Sequence, residues 1–330
     1  MILVVSLNPA LDLTYEVQEA DWGGVNRPHT VHVRPGGKGV NVARTLRALG
    51  RDVRLAGLIG GATGAELVEG LAGSGVEVGF TAIAGPTRRT LTVVDSARGQ
   101  AALFNEPGPL VAGGEYQGFL DGYLAALGDC EAVVLSGSLP GGVGPEAYAG
   151  LISAARAAAV PVILDTSGPA LALGAAAGPT LVKPNLAELE HISGRSLAAE
   201  AARAAARELV RDGARSVVVS LGEAGLLAVT GEGSWLARPG ERVDGNPTGA
   251  GDAVVAGLAD GLVRGTGWPE TLRHAVGLGA ATVAAPVAGE FARDEYERQH
   301  RLAGVAAWVE PGVEPGVAPG VAACGDGSAR

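Results

Sequence analysis

The chain has 330 residues and a mass of 32.8 kDa, enough for one large α/β domain or two ordinary ones with a sizeable core. A formal charge of -10 and a pI near 5.1 give no long-range attraction to nucleic acid or to an anionic membrane, so neither is an expected partner. Apolar residues make up 47% but aromatics only 4%, which calls for an interior of Val, Leu and Ala built on close backbone approaches.

Residues 2–6 read as a buried first strand, too short for a membrane span and without the basic segment of a signal peptide. Residues 13–17 and 30–33 mix β-branched and polar residues and predict half-exposed antiparallel strands. A helix is expected over 40–49, a strand over 53–59 and a helix over 65–72. Residues 88–95 and 101–104, around the turn Ser96-Ala97-Arg98-Gly99, predict a second half-exposed pair. Helices over 115–127, 145–159 and 197–210 then alternate with strands over 132–135, 162–164, 180–182 and 216–219. Two further helices, 250–263 and 270–285, complete the pattern.

Such alternation predicts a layered α/β/α unit with a parallel sheet covered on both faces. The two half-exposed pairs suit either a small second sheet acting as a lid or an edge extension of the main sheet. Beyond Trp308 the Pro-Gly-Val quasi-repeat cannot bury much apolar surface, so residues 309–330 are expected to be a mobile terminus. The expected organisation is one domain over 1–308, with lid segments at about 12–34 and 87–105. Cys130 and Cys324 have neither metal spacing nor a disulfide framework, and a reducing cytoplasm is the expected location.

The strongest local signal is Asn246-Pro247-Thr248-Gly249-Ala250-Gly251-Asp252, just before a helix. Gly249 and Gly251 permit a tight turn with unobstructed N–H groups at the positive end of a helix dipole, a cradle for an anion. Asp252 would then accept a proton from a substrate hydroxyl attacking a phosphoryl group; the alternative is that Thr248 or Asp252 simply caps the helix. At Gly36-Gly37-Lys38-Gly39-Val40-Asn41, the order fits neither a Walker loop nor a dinucleotide fingerprint. There the glycines admit a polyhydroxyl substrate, and Asn41 offers an amide donor and acceptor. Lys38 meets a phosphate or stays in solvent.

Asp12 can accept from two sugar hydroxyls or serve as a turn residue. Arg27 and Arg88, in the expected lid, would place two guanidinium forks on one dianion, or lie on a solvated face. Asn185 and Glu188 stand three apart on one helical face, where they can orient magnesium-bound water, form a capping box, or do both. Asp165 is a third carboxylate at the carboxyl edge of the sheet, where ligands of open α/β folds collect. Ser220-Leu221-Gly222-Glu223-Ala224-Gly225 is either a phosphate-holding turn or a plain hairpin.

These blocks, with Asn8-Pro9-Ala10-Leu11-Asp12, Asn105-Glu106-Pro107-Gly108-Pro109 and Ser136-Gly137-Ser138-Leu139-Pro140, resemble the PfkB or ribokinase-like family of carbohydrate kinases. The resemblance runs from about Ile2 to Ala307 and is greatest to the branch of 1-phosphofructokinases and tagatose-6-phosphate kinases. It implies a ribokinase-like three-layer core with a β lid, ATP and magnesium as cofactors, and a homodimer formed through the lids. It also implies that Asp252 is the base and that Gly249, Ala250 and Gly251 form the oxyanion turn. Asp12, Gly37 and Asn41 are then sugar contacts, and Lys38, Arg27, Arg88 and Ser138 surround the substrate phosphate. Asn185 and Glu188 are associated with magnesium. The nucleotide lies against Ser220, Gly222, Gly225 and residues 274–285, with Lys183 and Thr248 beside it. Two positions depart from the family pattern. Many 1-phosphofructokinases carry Asn shortly after the lid arginine, where this chain has Arg89-Thr90, and Pro247 precedes Thr248.

The expected reaction converts a ketohexose monophosphate to the bisphosphate. Fructose 1-phosphate is the first choice, with tagatose 6-phosphate or fructose 6-phosphate next. A non-catalytic sugar or nucleotide sensor would lack the base or the glycine turn, and both are present. An NAD-dependent dehydrogenase would need glycine spacing that the early block lacks.

Overall fold

A computed structural model describes residues 1–285 and 287–308, so the expectation for 309–330 lies outside the described residues. The parallel centre of the main sheet comprises β1 (Ile2–Ser6), β4 (Val53–Gly60), β5 (Glu77–Ile83), β8 (Ala132–Ser136), β9 (Val162–Asp165), β10 (Leu181–Val182) and β11 (Val217–Ser220). Antiparallel β12 (Leu226–Thr230), β13 (Gly233–Arg238) and β14 (Gly304–Ala307) extend it, in the order β14-β13-β12-β11-β10-β9-β8-β1-β4-β5. Every residue of β1, β8 and β9 is buried, which is why these strands are unbroken apolar runs rather than alternating ones.

Strand alternation sorts the core into two layers. Leu3, Val5, Val133 and Leu135 point to one face, where they meet α3 (Gly113–Ala126), α4 (Ala147–Ala157), α5 (Gly168–Ala176), α6 (Leu186–Ser193) and α7 (Ala199–Asp212) through residues such as Phe119, Leu151, Leu171 and Leu189. Ile2, Val4 and Val134 point to the other, against α1 (Lys38–Ala48), α2 (Gly61–Leu71), α8 (Ala250–Arg264) and α9 (Trp268–Val283). Helix α10 (Arg293–Leu302) packs on α9. The low aromatic content is matched by backbone proximity. A Cβ on Gly257 of α8 would stand 2.7 Å from the Ala275 Cα of α9, so glycine sets the spacing of that helix pair.

The half-exposed strands form a separate four-stranded sheet of β2 (Ala10–Val17), β3 (Thr30–Gly36), β6 (Arg88–Asp95) and β7 (Gln100–Asn105), ordered β3-β2-β6-β7. This is the lid alternative rather than the edge extension. Both expected pairs are antiparallel, β2 with β3 and β6 with β7; the two pairs join through β2 and β6, which run parallel because the chain crosses the main sheet between them. Register sorts the lid by face. Val33, Leu13, Leu91 and Phe104 form one cross-strand row, whereas Arg34, Asp12, Thr90 and Asn105 form the next, on the opposite face. Among the described residues, no helix is long and apolar enough to cross a membrane.

Candidate active site

Helix α8 opens on Gly249, whose φ of +84° is the left-handed conformation that glycine supplies without strain. Gly249 is itself the N-cap and no side chain caps the helix, so neither Thr248 nor Asp252 spends its oxygen in that role. Thr248 is exposed, and its N–H donates to Asn246 Oδ1 at 3.0 Å. The Ala250 N–H turns back to the Pro247 carbonyl at 3.1 Å, which leaves Gly251 and Asp252 as the first-turn amides that point along the axis. Asp252 is 7% exposed and accepts from Asn41 Nδ2 at 2.8 Å. Burial, and then the nearby Asp165 carboxylate, pushes the Asp252 carboxyl up to about 7.

Asp165 ends β9 and is completely buried. Its Oδ1 lies 3.2 Å from Lys183 Nζ and 3.4 Å from Lys38 Nζ, and Ser136 Oγ donates to Oδ2 at 3.3 Å. Burial opposes its charge, but the two ammonium groups outweigh it and hold the carboxyl below its usual range. Lys38 also lies 3.6 Å from Glu188. Burial works to lower its pKa, and Asp165, Glu188 and Asp252 together raise it. A Cβ on Gly251 would come 3.9 Å from Lys183 Nζ, so this second lysine faces the anion turn. Lys38 therefore stands among the carboxylates rather than against the lid arginine.

The lid supplies a second cluster. Asp12 is half-buried beside β3, so closely that a Cβ on Gly36 would overlap its carboxylate. Burial raises its pKa against the hydroxyl of Thr90, the Arg88 guanidinium and the Gly37 N–H. Gly37, at φ +91°, approaches Pro9. Arg88 Nε donates to the Asn8 carbonyl at 3.2 Å, and Asn8 Nδ2 donates to Ser138 Oγ at 3.1 Å. Asn8, Arg88, Asn105 and Ser138 line one cavity of about 480 Å³. Arg27 is not brought to it; this residue is exposed in the loop between β2 and β3. Asn8 and Asn105 stand in motifs quoted above without a role assigned to them, and Thr90 is the residue of this cluster that sequence reasoning does not single out. The available signal is period-two spacing from Arg88 to Thr90, which puts both on one strand face.

Asn185 caps α6. Its Oδ1 accepts from the Glu188 N–H and its own N–H donates to Glu188 Oε2, both at 2.8 Å. The capping box is thus formed, and Glu188 Oε1 is turned to Lys38. Among the described residues no three His, Cys, Asp or Glu side chains are arranged to hold an ion. Magnesium that arrives on nucleotide phosphates and keeps its waters needs no such cage, and the Glu188, Asp165 and Lys38 group fits that mode. Ser220 bridges to Asn185, which brings the turn after β11 beside the cap. In that turn, a Cβ on Gly222 would meet open space, whereas one on Gly225 would strike the Ala237 carbonyl. Gly225 is thereby required by packing against β13. His274 is occupied elsewhere, 3.2 Å from Asp260 and 2.7 Å from the Tyr296 hydroxyl.

Residues 5–294 match the family of pfkB carbohydrate kinases, and the chain belongs to that family. Its similarity extends to particular members. A 1-phosphofructokinase of Rhodobacter capsulatus is 41% identical over 280 residues, which cover 83% of this chain and 87% of that protein. A 1-phosphofructokinase of Escherichia coli K12 is 35% identical, covering 86% and 90%. The crystal structure of phosphofructokinase-2 from E. coli in complex with fructose-6-phosphate superposes with a TM-score of 0.83 at 33% identity, covering 91% of this chain and 98% of that one. The chain is accordingly a kinase with the ribokinase-like α/β architecture and a sheet lid.

Proposed function

We propose that the chain is an ATP-dependent 1-phosphofructokinase, converting fructose 1-phosphate to fructose 1,6-bisphosphate. The observation that carries this reading is the buried Asp252 carboxylate. It is pushed up to about 7, next to the first-turn amides of α8, while a cavity lined by Arg88, Asn8 and Ser138 lies at the lid. The named relatives at 41% and 35% identity support the choice of substrate.

Fructose 1-phosphate would lie with its phosphate at Arg88, Asn8 and Ser138 and its ring hydroxyls on Asp12. The 6-hydroxyl oxygen attacks the γ-phosphorus of ATP, its proton passes to Asp252, and the bond from γ-phosphorus to the β-γ bridging oxygen breaks to release ADP. The Gly251 and Asp252 amides and Lys183 stabilise charge on the transferred group, and Lys38 balances the carboxylates. Magnesium, when bound with the nucleotide, supplies further neutralisation of its phosphates. Tagatose 6-phosphate or fructose 6-phosphate, attacked through the 1-hydroxyl, is the second reading, favoured by the match to a structure that holds fructose-6-phosphate. A homodimer formed through the lids and a cytoplasmic location complete the proposal.

The test is ADP release with fructose 1-phosphate, fructose 6-phosphate, tagatose 6-phosphate, fructose and ribose. The proposal expects fructose 1-phosphate to give the highest kcat/KM. A preference for an unphosphorylated sugar would refute it.

A further inference from the structure

Ala288, Gly289 and Glu290, in the loop between α9 and α10, touch three different parts of the site. A Cβ on Gly249 would lie 2.9 Å from the Ala288 Cβ, so Ala288 backs the first glycine of the anion turn. Gly289, at φ +77°, is so close to α1 that a Cβ there would fall 3.1 Å from Asn41 Oδ1 and 3.2 Å from Asn41 Cα. Asn41 is the residue whose amide holds Asp252. Glu290 Oε1 accepts from Arg44 Nη2 at 2.7 Å and lies 3.9 Å from Nη1 of Arg34, in lid strand β3. Across the lid ladder, Arg34 is paired with Asp12.

Exposed ion pairs contribute only about 0.2–1 kcal/mol each to stability, so fold stability does not account for a carboxylate shared by two arginines here. We propose that Glu290 is a positioning residue that couples the lid strand to the base. When the sugar draws β2 and β3 onto the site, Arg34 engages Glu290, and the contact of Gly289 with Asn41 fixes the amide that orients Asp252. Arg44, one helical turn beyond Asn41 on α1, anchors the carboxylate so that only the lid arm moves. This proposal rests on the reading of Asp252 as the base and Asp12 as the sugar contact.

Steady-state kinetics of Glu290→Gln, Arg34→Ala and the double variant test it, with wild-type turnover measured first. Absence of wild-type turnover with any sugar phosphate refutes the functional reading itself. With turnover established, kcat of Glu290→Gln is expected to fall on the order of tenfold, the size of ordinary coupling between sites. The KM for ATP should stay within about twofold, because the nucleotide contacts are not in this bracket. Arg34→Ala should show the same loss, and the double variant no more than the larger single loss. A kcat for Glu290→Gln within about twofold of wild type, or single losses that multiply in the double variant, overturns the coupling. A merely structural role would lower the active fraction and melting temperature but leave kcat per active enzyme unchanged. Should Glu290→Gln fail to fold, Arg34→Ala on the half-exposed strand carries the test, and an unchanged kcat there overturns the proposal.

Discussion

The hydroxyl of Thr90 matters because Asp12 is half-buried and has few donors: Thr90, the Gly37 N–H and the Arg88 charge. A hydrogen bond to a charged group contributes about 1.5–3 kcal/mol. Thr90→Val should therefore raise the KM for the sugar phosphate by roughly 10- to 100-fold while leaving the KM for ATP within about twofold, as read from ADP-release titrations. Equal changes in both would place Thr90 outside the sugar site. Asp252 gives a pH prediction. Its carboxyl, at about 7 in the fold, must be ionised to serve as the proposed base, so kcat/KM should decline about tenfold per unit below pH 7. The same shift bears on stability with a definite sign. A folded-state value above the unfolded one, about 3.9, means that the folded chain binds the extra proton, so this group's contribution is lost as pH rises through 7. Asp252→Asn should then melt higher than wild type at pH 8, by a margin that shrinks at pH 5. Asp252, Asn185 and Glu188 were legible in sequence because each belongs to a short local motif with its own glycines or cap. Thr90 was not, because its placement arises across strands: it stands opposite Asp12 only through the parallel register of β2 and β6.

Helix α8 carries the proposed base, Asp252, at its first turn and is buried along nearly its whole length, so its distance from α9 fixes where Asp252 sits. Two competing effects bear on its glycine. Helix propensity alone says that Gly257→Ala stabilises by about 0.5–1 kcal/mol, but the added Cβ would meet backbone at 2.7 Å, and overpacking costs about 1–3 kcal/mol. Packing wins, and Gly257→Ala should lower the melting temperature. Gly122, exposed on α3 with nothing within 4 Å of its Cβ position, should respond in the opposite direction to the same substitution. Calorimetry on the two variants checks both signs; a stabilised Gly257→Ala would contradict the tight α8–α9 approach. At this scale the sequence was most readable where the pattern was longest. The buried parallel strands and amphipathic helices α1, α3 and α7 are matched within a few residues. Helix α5 was hidden because Gly-Pro-Ala-Leu-Ala-Leu-Gly-Ala-Ala has no polar stripe to set a period. The largely exposed β14 is only the four residues Gly-Val-Ala-Ala, too short to set a period, and it pairs with β13 from nearly 70 positions away.

The whole molecule presents the lid as a half-covered sheet, and its apolar row of Val33, Leu13, Leu91 and Phe104 includes Val33 and Phe104, at 42% and 50% exposure. A second copy laid against this face is the proposed dimer, since contiguous exposed apolar surface marks association sites. Phe104→Glu should shift the protein towards monomer in sedimentation, and an unchanged dimer would move the interface elsewhere. The sequence conveyed that a lid exists, from strands mixing β-branched and polar residues, but not its parallel centre, since strand direction depends on where the chain travels between pairings. The proposed mechanism requires one carboxylate to remove a proton as the phosphoryl group is transferred. Turnover and substrate affinity of Asp252→Asn, measured on one preparation, test this most directly. Binding of ATP and fructose 1-phosphate should persist while kcat drops by roughly 100- to 10,000-fold; a purified variant that turns over at close to the wild-type rate would contradict it.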